Sequence, residues 1–397
     1  MTAVRRVSLA ERRARLGRRH HLAPGAGAAD VTAAARGLVG LHATDAASVF
    51  LTARARVPGL VPADVERALY DDRSVVRVLG MRRTMFVEPV DLVPLVHAAC
   101  TRAIAVRERR QLVRLLEEGG IADDGDAWLK RVESAVLAAV ARRGEATAAE
   151  LSDDVPELRA KLLFGEGKRW GGAVGVSTRV LFLLSAAGHL VRGRPRGSWV
   201  STQYRWATLG GWLATPVDVD GEETGAARVG LVRRWLRAFG PGTVDDVRWW
   251  TGWTVGETRR ALAALDPVEV DLGGGASGLL LPDDADEVAA PDPWVALLPA
   301  LDPTMMGWTG RAWYLGEHGP ALFDRSGNPG PTVWCDGRVV GGWAQRADGE
   351  VVVRLFDDVG AEAAAAVDAA ADDLRAWLGD VRVVPRFRTP LERELSA

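Results

Sequence analysis

Three times along this chain, stretches with helical spacing of apolar residues give way to two short β-branched runs joined by a turn. A unit of that kind cannot cover its own apolar face, so its recurrence constrains the fold more than any other feature. In the first unit, residues 9–20 have helical spacing. Asp30 is then a natural N-cap for VTAAARGLVGL, whose Val31, Ala34, Ala35, Leu38 and Leu41 fall on one stripe. A further helix, AASVFLTARARV, follows Thr44 and Asp45 and is stopped by Pro58 and Gly59, and Pro62 opens another. SVVRVLGMRRTMFVEP supplies two β-rich runs around a glycine.

The second unit predicts helices over residues 128–143, 146–152 and 174–187, then two strands with an arginine-rich tip in GHLVRGRPRGSWVSTQYRWAT. The third predicts a helix over residues 230–239 and a Thr/Asp-capped helix in TVDDVRWWTGW. There Thr254 and Glu257 have capping-box spacing ahead of TRRALAAL, and VEVDLGGGASGLLLP closes the unit. Helices closed by a basic hairpin are the pattern of a winged helix-turn-helix, although the three copies are too divergent to form a true sequence repeat. From Trp294 onward the pattern turns β-rich, through WVALLPAL, PTVWCDGRVVGGWAQRADGEVVVRLF and VRVVPRF. Asp336-Gly337 and Asp348-Gly349 mark hairpins, and residues 361–378 form one alanine-rich helix. The expected fold is α+β: tandem winged helix-turn-helix units followed by a small β-barrel or meander. Its divisions are 1–95 (with the N-terminal helix), 96–210, 211–290 and 291–397.

Charge sharpens the functional reading. The chain carries 50 Lys+Arg against 52 Asp+Glu, a formal −2. Split at Gly210, residues 1–210 hold 33 basic and 22 acidic groups, and the remainder 17 and 30. A basic front half points to a polyanion partner, double-stranded DNA. The hairpin arginines are the candidate DNA contacts: Arg77, Arg82 and Arg83 in the first, and Arg192, Arg194 and Arg196 in the second. No apolar run reaches membrane-spanning length, and two distant cysteines, Cys100 and Cys335, give no metal-site spacing. The expectation is a cytoplasmic, nucleoid-associated protein with no metal and no membrane or protein partner implied.

For catalysis there is no nucleophile elbow, HExxH, CxxC or phosphate loop. His42 stands out because it ends an apolar stripe and is followed two residues later by Thr44. On a continuous helix such positions face apart, and they converge only where the backbone is non-helical. Thr44 and Asp45 are also natural N-caps, and His42 reads equally as a buried, hydrogen-bonded imidazole. Gly171 and Gly172 suit close backbone approach. Trp249, Trp250 and Trp253, on a capped helix, are read as core rather than as stacking platforms.

The strings GLVGLHATDAASVFLTARARV, MRRTMFV, DDVRWWTGWTVGETRRAL, LLPALDPTMMGW and GNPGPTVWCDGRVVGGW, in this order, resemble the AlkZ/YcaQ-type winged-helix DNA glycosylases. The resemblance runs from about Val7 to Pro390. It implies tandem winged helices with a β-barrel. It also implies excision of bulky or crosslinked N-alkylated purines, including unhooking of interstrand crosslinks, without a metal or organic cofactor. In that family a Gln-x-Gln or Gln-x-Asp signature holds the hydrolytic water; here the matching positions are His42 and Thr44, with Asp45 next in line. A neutral imidazole accepts a hydrogen bond from water and, at its reference pKa of about 6.5, also serves as a base. Arg82 matches the family's strand-motif arginine and would hold phosphate near the lesion. A winged-helix protein that binds DNA without cutting it is the alternative.

Overall fold

Side-chain caps start the early helices in the computed structural model of the protein, whose described residues are 4–164, 172–215 and 217–397. Ser8 accepts from the Glu11 amide at Leu9–Arg19, Asp30 from Ala33 at Val31–Gly37, and Asp45 from Ala47 at Ala46–Arg54. The second of these helices is shorter than its apolar stripe. Val39 (φ 53°) and Gly40 (φ 95°) turn the chain out of it, so Leu41 lies in a strand, Leu41–His42, and not on the helix. Gly40 meets two demands at once, because its backbone is left-handed and a Cβ there would stand 2.3 Å from Oε1 of Glu88. The short strand pairs antiparallel with Met85–Pro89, His42 opposite Phe86, and Met85–Pro89 pairs in turn with Val75–Leu79.

The middle region holds helices Gly125–Arg143, Ala148–Asp154 and Val176–Ala186, and a hairpin of Leu190–Pro195 with Tyr204–Thr208. A further helix, Arg102–Glu118, was not legible in the sequence because only Ile104, Leu112 and Leu116 along its length are buried. Leu112, Leu129, Val136, Leu151 and Val180 form a core belonging to this region alone. Gly172 begins a short strand, Gly172–Gly175, paired with Lys161–Phe164, while Gly171 lies outside the described residues.

In the third region both capping boxes close, Thr243 with Asp246 and Thr254 with Glu257, starting Val244–Thr251 and Val255–Ala263. The hairpin Val268–Asp271 with Ser277–Leu280 follows. The last region is an antiparallel meander: Val295–Leu298, Thr332–Cys335, Arg338–Gln345 and Val351–Leu355, in that spatial order. It is an open sheet and does not close into a barrel, since its first and last strands do not pair. Helix Ala361–Leu378 covers it. VRVVPRF adds no strand. Its amides go to side chains instead: Val383 N–H to Gln345 Oε1 at 2.8 Å and Arg386 N–H to Asp45 Oδ2 at 2.9 Å, while Pro385 has no N–H to give.

A long excursion between the first two meander strands packs back on the first region. Asp302 in LLPALDPTMMGW is fully buried and accepts from both terminal nitrogens of Arg56 at 2.9 and 2.7 Å, from Thr52 Oγ1 at 3.1 Å and from the Thr304 amide at 2.9 Å. A buried carboxylate with this many donors is a satisfied one. Residues of the first, third and last regions mix in a shared core around Trp235, Phe239, Met305 and Trp334. Among the described residues, helices are thus joined by five small antiparallel sheets, and no helix is long and apolar enough to cross a membrane.

Candidate functional site

The strand Leu41–His42 is followed by Ala43 and by a bend at Thr44 and Asp45 before the next helix. Beyond Leu41–His42 the Ala43 amide still donates to the Met85 carbonyl at 2.7 Å, so the backbone between His42 and Thr44 is paired like a strand and is not helical. The expected non-helical turn is a strand end at His42 followed by the bend at Thr44 and Asp45. His42 is only 3% exposed, with its ring edge-on to Phe86 at 5.3 Å between centroids. Neither ring nitrogen has a hydrogen-bond partner among the described residues, and neither does the buried Thr44 hydroxyl. Burial, reinforced by the charge of Arg82, pushes the imidazole down to about 3. His42 is therefore neutral at physiological pH and a far weaker base than its reference value suggests. Asp45 does not join the pair. Its two carboxylate oxygens accept from the Ala47 amide at 3.1 Å and the Arg386 amide at 2.9 Å, which makes it a cap and a tether.

The six hairpin arginines separate into kinds. Arg77 is 2% exposed and donates to the Tyr204 hydroxyl beneath its ring, so it is interior and not on the hairpin surface. Three others are neutralised: Arg83 by both oxygens of Glu108 at 2.8 and 3.0 Å, Arg194 by Asp71 at 2.9 Å, and Arg196 by Glu150 at 2.9 Å. Arg82 and Arg192 have no such partner among the described residues. Arg192 lies 5.3 Å from the ring centres of both Tyr204 and Trp206, and burial pulls it down to about 10, helped by the charges of Arg77 and Arg386.

Arg82 sits in the turn Met81–Arg83 with φ at 52°, a conformation non-glycine residues seldom hold, and Arg83 follows at 62°. Its guanidinium stacks 4.0 Å from the centre of Trp249, whose ring is also contacted by Arg311 at 4.8 Å. Gly252 (φ 77°) caps Trp249's helix so closely that a Cβ would be 3.3 Å from Cγ of Arg82. Burial and the Arg311 charge lower Arg82 to about 10. The core reading of the tryptophans thus holds for Trp250 and Trp253, which are 3% and 9% exposed, whereas Trp249 is half-buried and contacted by two cations. Arg311 and Arg386, in the acidic rear half, were missed, and no local sequence signal marks them.

A cavity of about 1120 Å³ lies elsewhere, lined by Pro58, Trp294, Ala363 and Trp377, with Glu362 and Asp373 among its residues. Neither His42 nor Thr44 lines it. Its carboxylates suit a polyanion poorly.

Comparison with solved structures finds Streptomyces sahachiroi DNA glycosylase AlkZ, at a TM-score of 0.71 and 21% identity, over 95% of this chain and 98% of that one. At that identity the likeness is one of fold. No curated protein sequence matches the chain. The sequence model of the family described as DNA glycosylase AlkZ-like, in contrast, matches residues 35–377, from the helix before His42 to the end of the last long helix. This chain belongs to the AlkZ-like DNA glycosylase family.

Proposed function

We propose that this protein is a monofunctional DNA glycosylase that hydrolyses the N-glycosidic bond of bulky or crosslinked N-alkylated purines in duplex DNA, with the attacking water held by His42 and Thr44. Its three helix-and-hairpin regions, 1–95, 96–210 and 211–290, act as winged-helix units on the duplex, with 291–397 as the β unit. The observation that carries the reading is that both imidazole nitrogens of His42 and the hydroxyl of Thr44, two residues apart, are buried and unbonded among the described residues, near the cation Arg82. Buried polar atoms are ordinarily satisfied, and one water accepting from Thr44 and donating to the acceptor nitrogen of a neutral imidazole gives each side chain a partner, leaving the imidazole N–H for a second acceptor.

An N-alkylated purine is cationic and departs as a neutral base, so C1′ is already oxocarbenium-like when water reaches it. Attack on such a centre needs a placed water more than a strong base, and the proton that the water sheds as its oxygen bonds to C1′ passes to solvent. An imidazole held near 3 supplies placement and accepts a hydrogen bond, which is the work a carboxamide does in the family signature. Arg82 serves a phosphate beside the lesion. The reading of a protein that binds DNA without cutting it draws on the 3% exposure of His42.

Scoring abasic sites on a duplex bearing an N7-alkylguanine separates the two. His42→Ala lowers the rate by about a hundredfold or more and leaves duplex affinity unchanged. The wild-type rate shows no acid limb near pH 6.5, because the imidazole is already neutral there. A limb at that pH shows His42 taking a proton and overturns the placement role. Absence of product from wild type at saturating protein leaves only the binding function.

A further inference from the structure

Two groups of guanidiniums, drawn from segments far apart in sequence, approach His42 and Thr44: the charge of Arg82 acts on the His42 imidazole, and Arg386 bonds the Thr44 carbonyl. On one side Arg82 and Arg311 stack on Trp249, and Arg12, from the first helix, stacks on Trp313 at 4.2 Å from its centre. Trp313 and its neighbour Tyr314 join Arg12 to Arg311, since the charges of both arginines act on the Tyr314 hydroxyl. On the other side Arg386 donates from Nη1 to the Thr44 carbonyl at 3.4 Å, and its charge acts on Arg192 above Tyr204 and Trp206.

These groups are costly as they stand. Nε of Arg12, Arg82, Arg192 and Arg311 is buried and unbonded among the described residues, as is Nη2 of Arg311. The charge of Arg311 bears on Arg82 and that of Arg386 on Arg192; among the described residues none of the five arginines has a carboxylate in ion-pair contact, although the buried Asp246 acts on Arg12. Elsewhere the chain neutralises such cations readily, as at Arg83, one residue from Arg82. An anion with several acceptor oxygens would supply the missing partners on both sides.

We infer that Arg12, Arg82 and Arg311 on one flank and Arg192 and Arg386 on the other are the seats for backbone phosphates on either side of the nucleotide whose sugar faces His42. Arg311 and Arg386 are thus phosphate-binding residues contributed by the acidic half of the chain. The inference rests on the proposed reading for its choice of DNA. Guanidinium forks suit phosphate oxygens, and aromatic faces fix each fork's plane.

The test is the salt dependence of binding to an undamaged duplex, followed by fluorescence anisotropy. Each lost phosphate contact lowers the slope of log K against log salt by about one unit. Arg311→Gln and Arg386→Gln each lose about one unit and bind about tenfold more weakly at low salt. Arg311→Lys keeps the charge without the stacking plane and retains the wild-type slope. Inorganic phosphate at constant ionic strength does not displace the duplex. An unchanged slope in Arg311→Gln and Arg386→Gln, an equal loss in Arg311→Lys, or displacement by phosphate overturns the assignment. Since no damaged base is involved, the slopes can fall as expected in a protein that makes no abasic sites; that combination removes the proposed reaction and leaves the phosphate seats standing.

Discussion

The second hairpin and the Trp249 cluster both present arginines, yet they differ in what those arginines face. RGRPRG has the highest local density of basic groups in a hairpin, and there Arg194 and Arg196 end on Asp71 and Glu150. At Trp249 the cations arrive singly, from MRRTMFV and from the segment before the short helix Ala312–Leu315, and among the described residues none meets a carboxylate. Density along the chain therefore does not measure availability to a ligand. Pairing does, and pairing is a property of the folded surface. The front half's excess of 33 basic over 22 acidic groups is partly spent in the same way, as Arg15 and Arg19 engage Asp284, Arg54 engages Asp373 and Arg56 engages Asp302.

The largest expected effect lies at the fully paired end of that scale. Arg56 and Asp302 are both 0% exposed, so Arg56→Ala strands a buried carboxylate and lowers unfolding stability by ~3–5 kcal/mol in urea titration. A loss below about 1 kcal/mol would show that the excursion carrying Arg311 is anchored by something else.

A buried acid without a partner behaves differently, because it sheds its charge by taking a proton. Glu88 is 0% exposed with both oxygens unbonded among the described residues, and burial pushes it up to about 8. Its folded value lies above the unfolded one of 4.5, so the folded state holds the extra proton between those pH values. Stability is whole below the lower value and falls as pH rises through the upper, by about 1.4 kcal/mol per unit within the window. Glu88→Gln removes that dependence and raises the alkaline unfolding midpoint. Parallel wild-type and variant curves between pH 5 and 8 would contradict the neutral carboxyl. An arginine has no comparable escape at physiological pH, which is why unpaired guanidiniums need an anion and an unpaired glutamate does not.

The smallest effect belongs to the hairpin that looks most basic. Replacing Arg194 and Arg196 together by alanine leaves the salt slope for duplex binding and the melting temperature within error, since each exchanges an exposed ion pair for water. A slope reduced by two units would show that these pairs open for DNA and would erase the contrast with Trp249.

Much of the frame was legible beforehand. Caps at Asp30, Thr243 and Thr254 and the Asp-Gly turns act through neighbours within a few residues, so their structure follows from local chemistry. Where reading failed, a distant partner had intervened. VRVVPRF alternates like a strand, but Gln345 and Asp45 claim its amides. The apolar stripe through Leu41 looks helical, but pairing with Val87 and the left-handed turn at Val39 and Gly40 make it extended.

The amino-acid order alone determined the succession of helices and hairpins, the family, and the positions at which its water-holding signature is replaced by His42 and Thr44, because these depend on local spacing and capping. The tertiary structure decided the protonation of His42, the diversion of Asp45 to backbone amides, and which arginines keep their charge unpaired. Burial and ion pairing act through space, between groups as far apart in the chain as Arg82 and Arg311, and no local pattern records which of them will meet.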